Sequence, residues 1–179
     1  MKKQRGAIAI EFAALFVVFF AIVYAVIAYS IPLLLILTFK QVSSDAGRAA
    51  IKVDQALPDT EYTQVVSDEV TRVIQASWLP SDWFTGNCPA PKESSHQWIP
   101  LPPSAGAVSY GFLAKDSLDA ASNNYRYILQ VCLQRKYGTT GSANEKAIIP
   151  TLNIMGIQIP KLPEKGGEVV IRNQTTVRL

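Results

Sequence analysis

From Ala7 to Phe39 the chain runs for 33 residues with a single charged side chain, Glu11. Lys2, Lys3 and Arg5 stand just ahead of that run. A helix of this length rises about 50 Å, whereas the hydrocarbon core of a bilayer is about 30 Å thick and takes about 20 residues. The pattern therefore predicts one membrane-spanning helix that projects well past one face. A secretory signal has an apolar core of about 7–15 residues followed by a small-residue cleavage site, so removal at the far end of this run is not expected. The three basic residues predict an N-terminus held in the cytoplasm and a C-terminal domain sent across the membrane. Pro32 lies inside the run and predicts a kink, with Ser30 close enough to compensate a lost backbone bond.

Helical periodicity continues beyond the run. Val42, Ala46, Ala49, Ala50 and Val53 share one narrow face of small residues, which predicts a helix continuing to Val53 and packed on its own domain. Pro58 then marks a break. Asp59 or Thr60 is the expected cap of a second helix, with Glu61 favourable in its first turn. Tyr62, Val65, Val66, Glu69, Val70, Val73 and Ile74 recur at i, i+3, i+4 spacing, so that helix is amphipathic and ends before Pro80.

Residues 79–107 read as a long loop, with prolines at 80, 89, 91, 100, 102 and 103. Trp78, Trp83, Phe84 and Trp98 in or beside it either give the loop a small core or form an exposed contact surface. From Tyr125 to Tyr137 the pattern alternates. Tyr125, Tyr127, Leu129, Val131 and Leu133 oppose Arg126, Gln130, Gln134 and Lys136, which predicts a half-buried strand. Residues 147–159, broken by Pro150 and Gly156, predict a bent or edge strand. A turn at Glu164–Gly167 precedes a last strand carrying Val169, Ile171, Thr175, Val177 and Leu179. Short linkers make the sheet antiparallel. The expected fold class is α+β: a long N-terminal transmembrane helix, a second amphipathic helix and a small C-terminal antiparallel sheet. The expected division is a leader over 1–6, the long helix over 7–56 and a globular domain over 57–179.

Charge alters little. The chain carries 17 Lys and Arg against 14 Asp and Glu, and the excess is the three residues of the leader. No basic patch or aromatic-basic interleaving points to nucleic acid. The two cysteines, Cys88 and Cys132, both lie beyond the apolar run. They suit one disulfide in an oxidising compartment, the alternative being two buried thiols. Bridging them pins the loop across the back of the strand. His96, the one histidine, has no second histidine or cysteine pair at metal spacing and reads as an exposed loop residue. Gly-rich phosphate cradles and nucleophile elbows do not appear, and Asp116 and Asp119 have no evident partner. A catalytic site, a metal and a cofactor are not expected.

Glu11 is what a plain anchor leaves unexplained. A carboxylate at mid-bilayer costs on the order of 2.5–3.5 kcal/mol, and less toward an interface. Either it reaches the cytoplasmic headgroups or it seeks a positive partner within an assembly. The order basic leader, Gly6, Ala7-Ile8-Ala9-Ile10, Glu11, Phe12 and a long apolar helix resembles the class III signal of type IV pilin-like proteins. More narrowly, Arg5 to Ala13, with Leu37–Gln41 and Asp45–Ala50, resembles TadE/TadF-like pseudopilins of tight-adherence (Flp) type IVc pilus systems. The resemblance covers roughly residues 5–50, while Pro32 and the Pro-rich middle depart from it. It implies cleavage by prepilin peptidase between Gly6 and Ala7, on the cytoplasmic face of a bacterial inner membrane. It implies assembly contacts through Glu11 and Phe12, with Glu11 meeting the new α-amine of a neighbouring subunit. The implied partners are other minor pilins and the major pilin, inner-membrane platform proteins and membrane lipid. The implied role is a minor pilin needed to prime or initiate a pilus. A single-span anchored periplasmic binding domain and a type II secretion pseudopilin remain the alternatives.

Overall fold

A computed structural model describes residues 5–92, 96–104, 108–117, 125–138, 145–154, 156–162 and 169–179. The leader residues 1–4, Asp119 and the expected turn at 164–167 lie outside the described residues. Helix α1 spans Arg5–Ala50 and runs unbroken through Pro32. It stops three residues short of the expected Val53: Lys52 and Val53 donate to the carbonyls of Ala49 and Ala50 in a closing turn. Helix α2 spans Asp59–Gln75 and buries Tyr62, Val66, Ser67, Val70, Thr71 and Ile74.

Four antiparallel strands, in the order β1-β2-β3-β6, form the main sheet. They are β1 (Ile99–Pro100), β2 (Gly111–Ser117), β3 (Tyr125–Lys136) and β6 (Val170–Arg178). The α+β architecture expected from the sequence is therefore observed. The core lies between the sheet and the two helices. Leu113, Tyr127, Leu129, Val131, Leu133 and Ile171 from the sheet meet Leu35, Phe39, Val42 and Ala46 of α1 and Tyr62, Val66, Val70 and Ile74 of α2.

Three local expectations are corrected. Strand β3 is covered on both faces rather than one, since Ile128, Gln130 and Cys132 are as buried as the core side. At Cys132 and Gln134 the disulfide loop lies against that face. Residues 147–159 do not make one bent strand. They form a separate hairpin, β4 (Leu152–Ile154) and β5 (Ile157–Ile159), with Gly156 at φ +84° in the turn. Such a φ suits a residue without Cβ, which explains the glycine. The proline-rich stretch is not a bare loop either. It carries a 3₁₀ turn over Ser81–Trp83, a bridge from Thr85 to Gln134, and β1.

Candidate functional site

Helix α1 divides into two halves. From Ala28 onward, Ala28, Pro32, Leu35, Phe39, Val42, Ala46 and Ala50 recur at three- to four-residue steps and are all buried against the domain. That is the stripe an amphipathic helix needs for docking. The seam with β6 is polar at one point. The hydroxyls of Ser43 and Thr175 lie 2.7 Å apart, and Asn173 Nδ2 donates to Ser43 Oγ at 2.8 Å, so the buried Ser43 is satisfied. One turn on, Gly47 makes room for the Val177 side chain: a Cβ there would sit 2.7 Å from Val177 Cγ2. The small-residue face expected to pack on its own domain does so.

The first half is the reverse. Ile10, Phe12, Leu15, Phe16, Phe19 and Ile22 are all more than half exposed. The exposed apolar face then continues past the start of the buried stripe to Leu33, Leu34 and Leu37. From Ile10 to Leu37 it rises about 40 Å. The helix is long and apolar enough to span a membrane or to act as a signal sequence. Glu11 lies on this half and is exposed, and no described residue pairs with it. Gly6 and Ala7 belong by their backbone to the opening turns of α1. The residues of the sequence-predicted site, Gly6, Ala7, Glu11 and Phe12, thus lie in the first turns of the helix, far along the chain from the sheet.

The paired cysteines are bonded to each other. Cys88 and Cys132 form a disulfide with Cα atoms 6.3 Å apart. It fastens the loop to the centre of β3 on the face away from α1, as the sequence led us to expect. His96, read as an exposed loop residue, is instead partly enclosed on that face. Its Nε2 lies 3.3 Å from Asp116 Oδ1, and Arg126 Nε lies 3.6 Å from Asp116 Oδ2. Asp116, which had no evident partner, therefore has two. The four aromatics separate: Phe84 is buried, Trp83 and Trp98 are half-buried, and Trp78 is 71% exposed. Trp78 borders a cleft of about 350 Å³ between α1 and α2, beside Gln41, Asp45 and Arg72.

Asp59 does not cap α2. The cap position belongs to Pro58 and makes no side-chain bond. The Asp59 carboxylate instead accepts from Lys115 Nζ at 2.5 Å, Tyr127 Oη at 2.5 Å and Tyr125 Oη at 3.2 Å. These bonds, led by that of Lys115, hold its pKa below the usual carboxylate value. Lys115 also stands 4.0 Å over the Tyr125 ring, a cation–π contact. The cluster fastens the start of α2 to β2 and β3. Burial pushes the neighbouring Tyr62 phenol up to about 12. Its ring stacks on Tyr127 with centroids 4.4 Å apart.

Sequence reasoning missed β2 altogether, and with it Lys115. Gly111-Phe112-Leu113-Ala114 shows no alternation, because Leu113 and Ala114 are both buried, on opposite faces. It also missed Arg135, which is 3% exposed and donates to the carbonyls of Asp82 and Lys146 at 2.8 and 3.0 Å. An arginine in register with the apolar side of the strand, two residues from both Leu133 and Tyr137, was the available signal. Comparison with known protein families, with curated proteins and with solved structures finds no match in any of the three. The geometry alone classifies the molecule. A long apolar N-terminal helix whose second half is the spine of a disulfide-pinned antiparallel sheet is a pilin-like architecture.

Proposed function

We propose that this chain is a non-catalytic minor subunit in the assembly of a tight-adherence (Flp) type IV pilus, priming or initiating the filament. In this reading α1 crosses the inner membrane with the leader in the cytoplasm and the sheet in the periplasm. Prepilin peptidase cuts after Gly6, and Ala7 becomes the N-terminus. One observation carries the reading: an exposed apolar helix face of about 40 Å, longer than the hydrocarbon of about 30 Å that could cover it, with an unpartnered carboxylate near its start. Lipid alone leaves Leu33, Leu34 and Leu37 without cover. Neighbouring helices of an assembly cover both these residues and Glu11, whose partner is a neighbour's Ala7 amine. Trp78 and its cleft supply a subunit-specific contact on the globular part, where an exposed aromatic anchor suits a protein interface.

The test is the mass of the mature N-terminus in cells with active prepilin peptidase. Cleavage between Gly6 and Ala7 is expected; an intact leader refutes the reading and leaves a single-span anchored domain. Glu11→Ala is expected to keep cleavage and membrane insertion but to abolish piliation, scored by electron microscopy of surface filaments. Normal piliation in that variant removes the pairing role given to Glu11.

A further inference from the structure

Tyr24 and Tyr29 of α1 each hold the chain at the base of the β4–β5 hairpin. Tyr24 Oη donates to the Pro150 carbonyl, and the Lys161 amide donates to Tyr29 Oη at 3.0 Å. Both tyrosines lie inside the apolar run, so an element far along the sequence is seated against the helix that crosses the bilayer. At 1.5 Å per residue Tyr24 stands about 26 Å and Tyr29 about 33 Å beyond Ala7. The far boundary of a hydrocarbon core of about 30 Å falls between them. Tyrosine is enriched at that boundary because its ring is apolar and its hydroxyl seeks polar partners.

The hairpin itself suits the same level. Its register pairs Leu152 with Ile159, Asn153 with Gln158 and Ile154 with Ile157. The register places positions 152, 154, 157 and 159, each Leu or Ile, on one side of the ladder and 153 and 158 on the other, and Leu152 and Ile159 are half-buried. Gly156 in the turn is exposed, and a Cβ built on it meets nothing within 4 Å. A two-stranded hairpin is marginal alone in water, so an aliphatic face at this height calls for an apolar cover. Its open edges cannot lie in dry hydrocarbon, but they can be hydrated among headgroups while the apolar face meets the acyl chains. Lys161, exposed just beyond β5, adds a cation where anionic headgroups lie.

From these placements we propose that the β4–β5 hairpin is a lipid-contacting element seated in the headgroup region of the periplasmic leaflet. It would fix the depth and tilt of α1. The proposal rests on the membrane-spanning reading of α1, and its test separates the two. The full chain, with its disulfide formed, is reconstituted in phosphatidylcholine–phosphatidylglycerol vesicles. An environment-sensitive fluorophore is attached to one added cysteine at a time: Ile154→Cys, Ile157→Cys, Phe16→Cys or Thr176→Cys. Lipids carry a spin label either near the headgroup or deep in the acyl chain. The Ile154 and Ile157 probes are expected to be quenched severalfold more than the Thr176 probe, and more by the shallow label than by the deep one. The Phe16 probe should prefer the deep label. A quenched Phe16 probe with hairpin probes that behave like Thr176 overturns the lipid contact and leaves α1 spanning. An unquenched Phe16 probe overturns the spanning reading itself. Hairpin probes shielded from water yet untouched by either lipid label, and exposed again on dilution into excess lipid, assign the face to a second copy and also overturn the proposal.

Discussion

Removing the Cys88–Cys132 bridge gives the clearest measure of what holds the second face of the sheet. The cysteines are 44 residues apart, and loop-closure entropy for a ring of that size is worth about 4 kcal/mol. Cys132 is fully buried and Cys88 nearly so, so replacing both by alanine adds a small cavity cost of about 1 kcal/mol. Reduction of the unaltered chain removes the tether without the cavity. The two perturbations therefore separate constraint from packing. The assay is urea unfolding of the full chain in detergent micelles, followed by near-ultraviolet circular dichroism of the tryptophans around the loop. With a urea dependence of about 2 kcal/mol per molar, the midpoint should fall by about 2 M on reduction, and somewhat further in the double alanine variant. The amides of Thr85 and Asn87, which donate to the carbonyls of Gln134 and Ser109 beside the bridge, should lose hydrogen-exchange protection first. A midpoint that moves by less than about 0.5 M on reduction, at unchanged slope, refutes the reasoning and means that loop packing alone keeps that face closed.

Three further perturbations test other parts of the structure. Tyr62 Oη is buried without a hydrogen-bond partner among the described residues. Tyr62→Phe should therefore stabilise the fold by up to about 1 kcal/mol in thermal melts, because an unmet polar group is deleted and the ring stack kept. The same variant should lose less stability between pH 10 and 12. The native phenol's pKa is raised to about 12, so its contribution is complete below the unfolded value near 10 and lost as pH rises through the folded one. Asp59 behaves oppositely, since its folded pKa is lowered. Its contribution is present above the usual carboxylate value near 3.8 and lost as pH falls below it through the folded value. Melts of Asp59→Asn and the unaltered chain should accordingly differ at pH 7 and converge at still lower pH than 3.8; a constant gap contradicts the assignment. Gly47→Ala gains helix propensity of about 1 kcal/mol but drives a methyl onto Val177, at a cost of about 1–3 kcal/mol. A net loss is expected, and adding Val177→Ala should convert it to a gain; additive effects would show that the close approach is unimportant.

What the sequence revealed depended on whether one side of an element faces something uniform. Helix α2 alternates cleanly because only one face meets the core, and β6 alternates because its outer face is exposed. Helix α1 was legible as a long apolar helix, but its division at Ala28 was not. The residues that dock, such as Leu35 and Phe39, and those that stay exposed, such as Leu34 and Leu37, are equally apolar. Only the three-dimensional partner distinguishes them. Strand β2 was hidden for the converse reason. Both of its faces are covered near Ala114, and Gly111 is required by a neighbour rather than by a turn, as a Cβ there would meet the Gln130 carbonyl at 2.2 Å. Asp59 looked like a cap because carboxylates favour helix starts, yet Lys115 and two tyrosines from the unseen strand and its partner hold it instead. Local pattern cannot report a charge whose partner is 56 residues away.

The two halves of α1 also explain why its far end carries the functional argument. Beyond Ala28 each turn has a docking residue, and the hydroxyl seam and Gly47 fix the helix rotationally against β6. The sheet is therefore clamped to the helix and not suspended from it. Any contact made by residues 10–23 is transmitted to the orientation of Trp78 and the α1–α2 cleft. A simple tether needs no such clamp, because a flexible linker after the span would serve it equally well. In an assembly whose helices pack side by side, the clamp has a consequence. On the proposed pairing, a register chosen by Glu11 at one end would set the presentation of the globular surface at the other, about 40 residues or some 60 Å along the same helix.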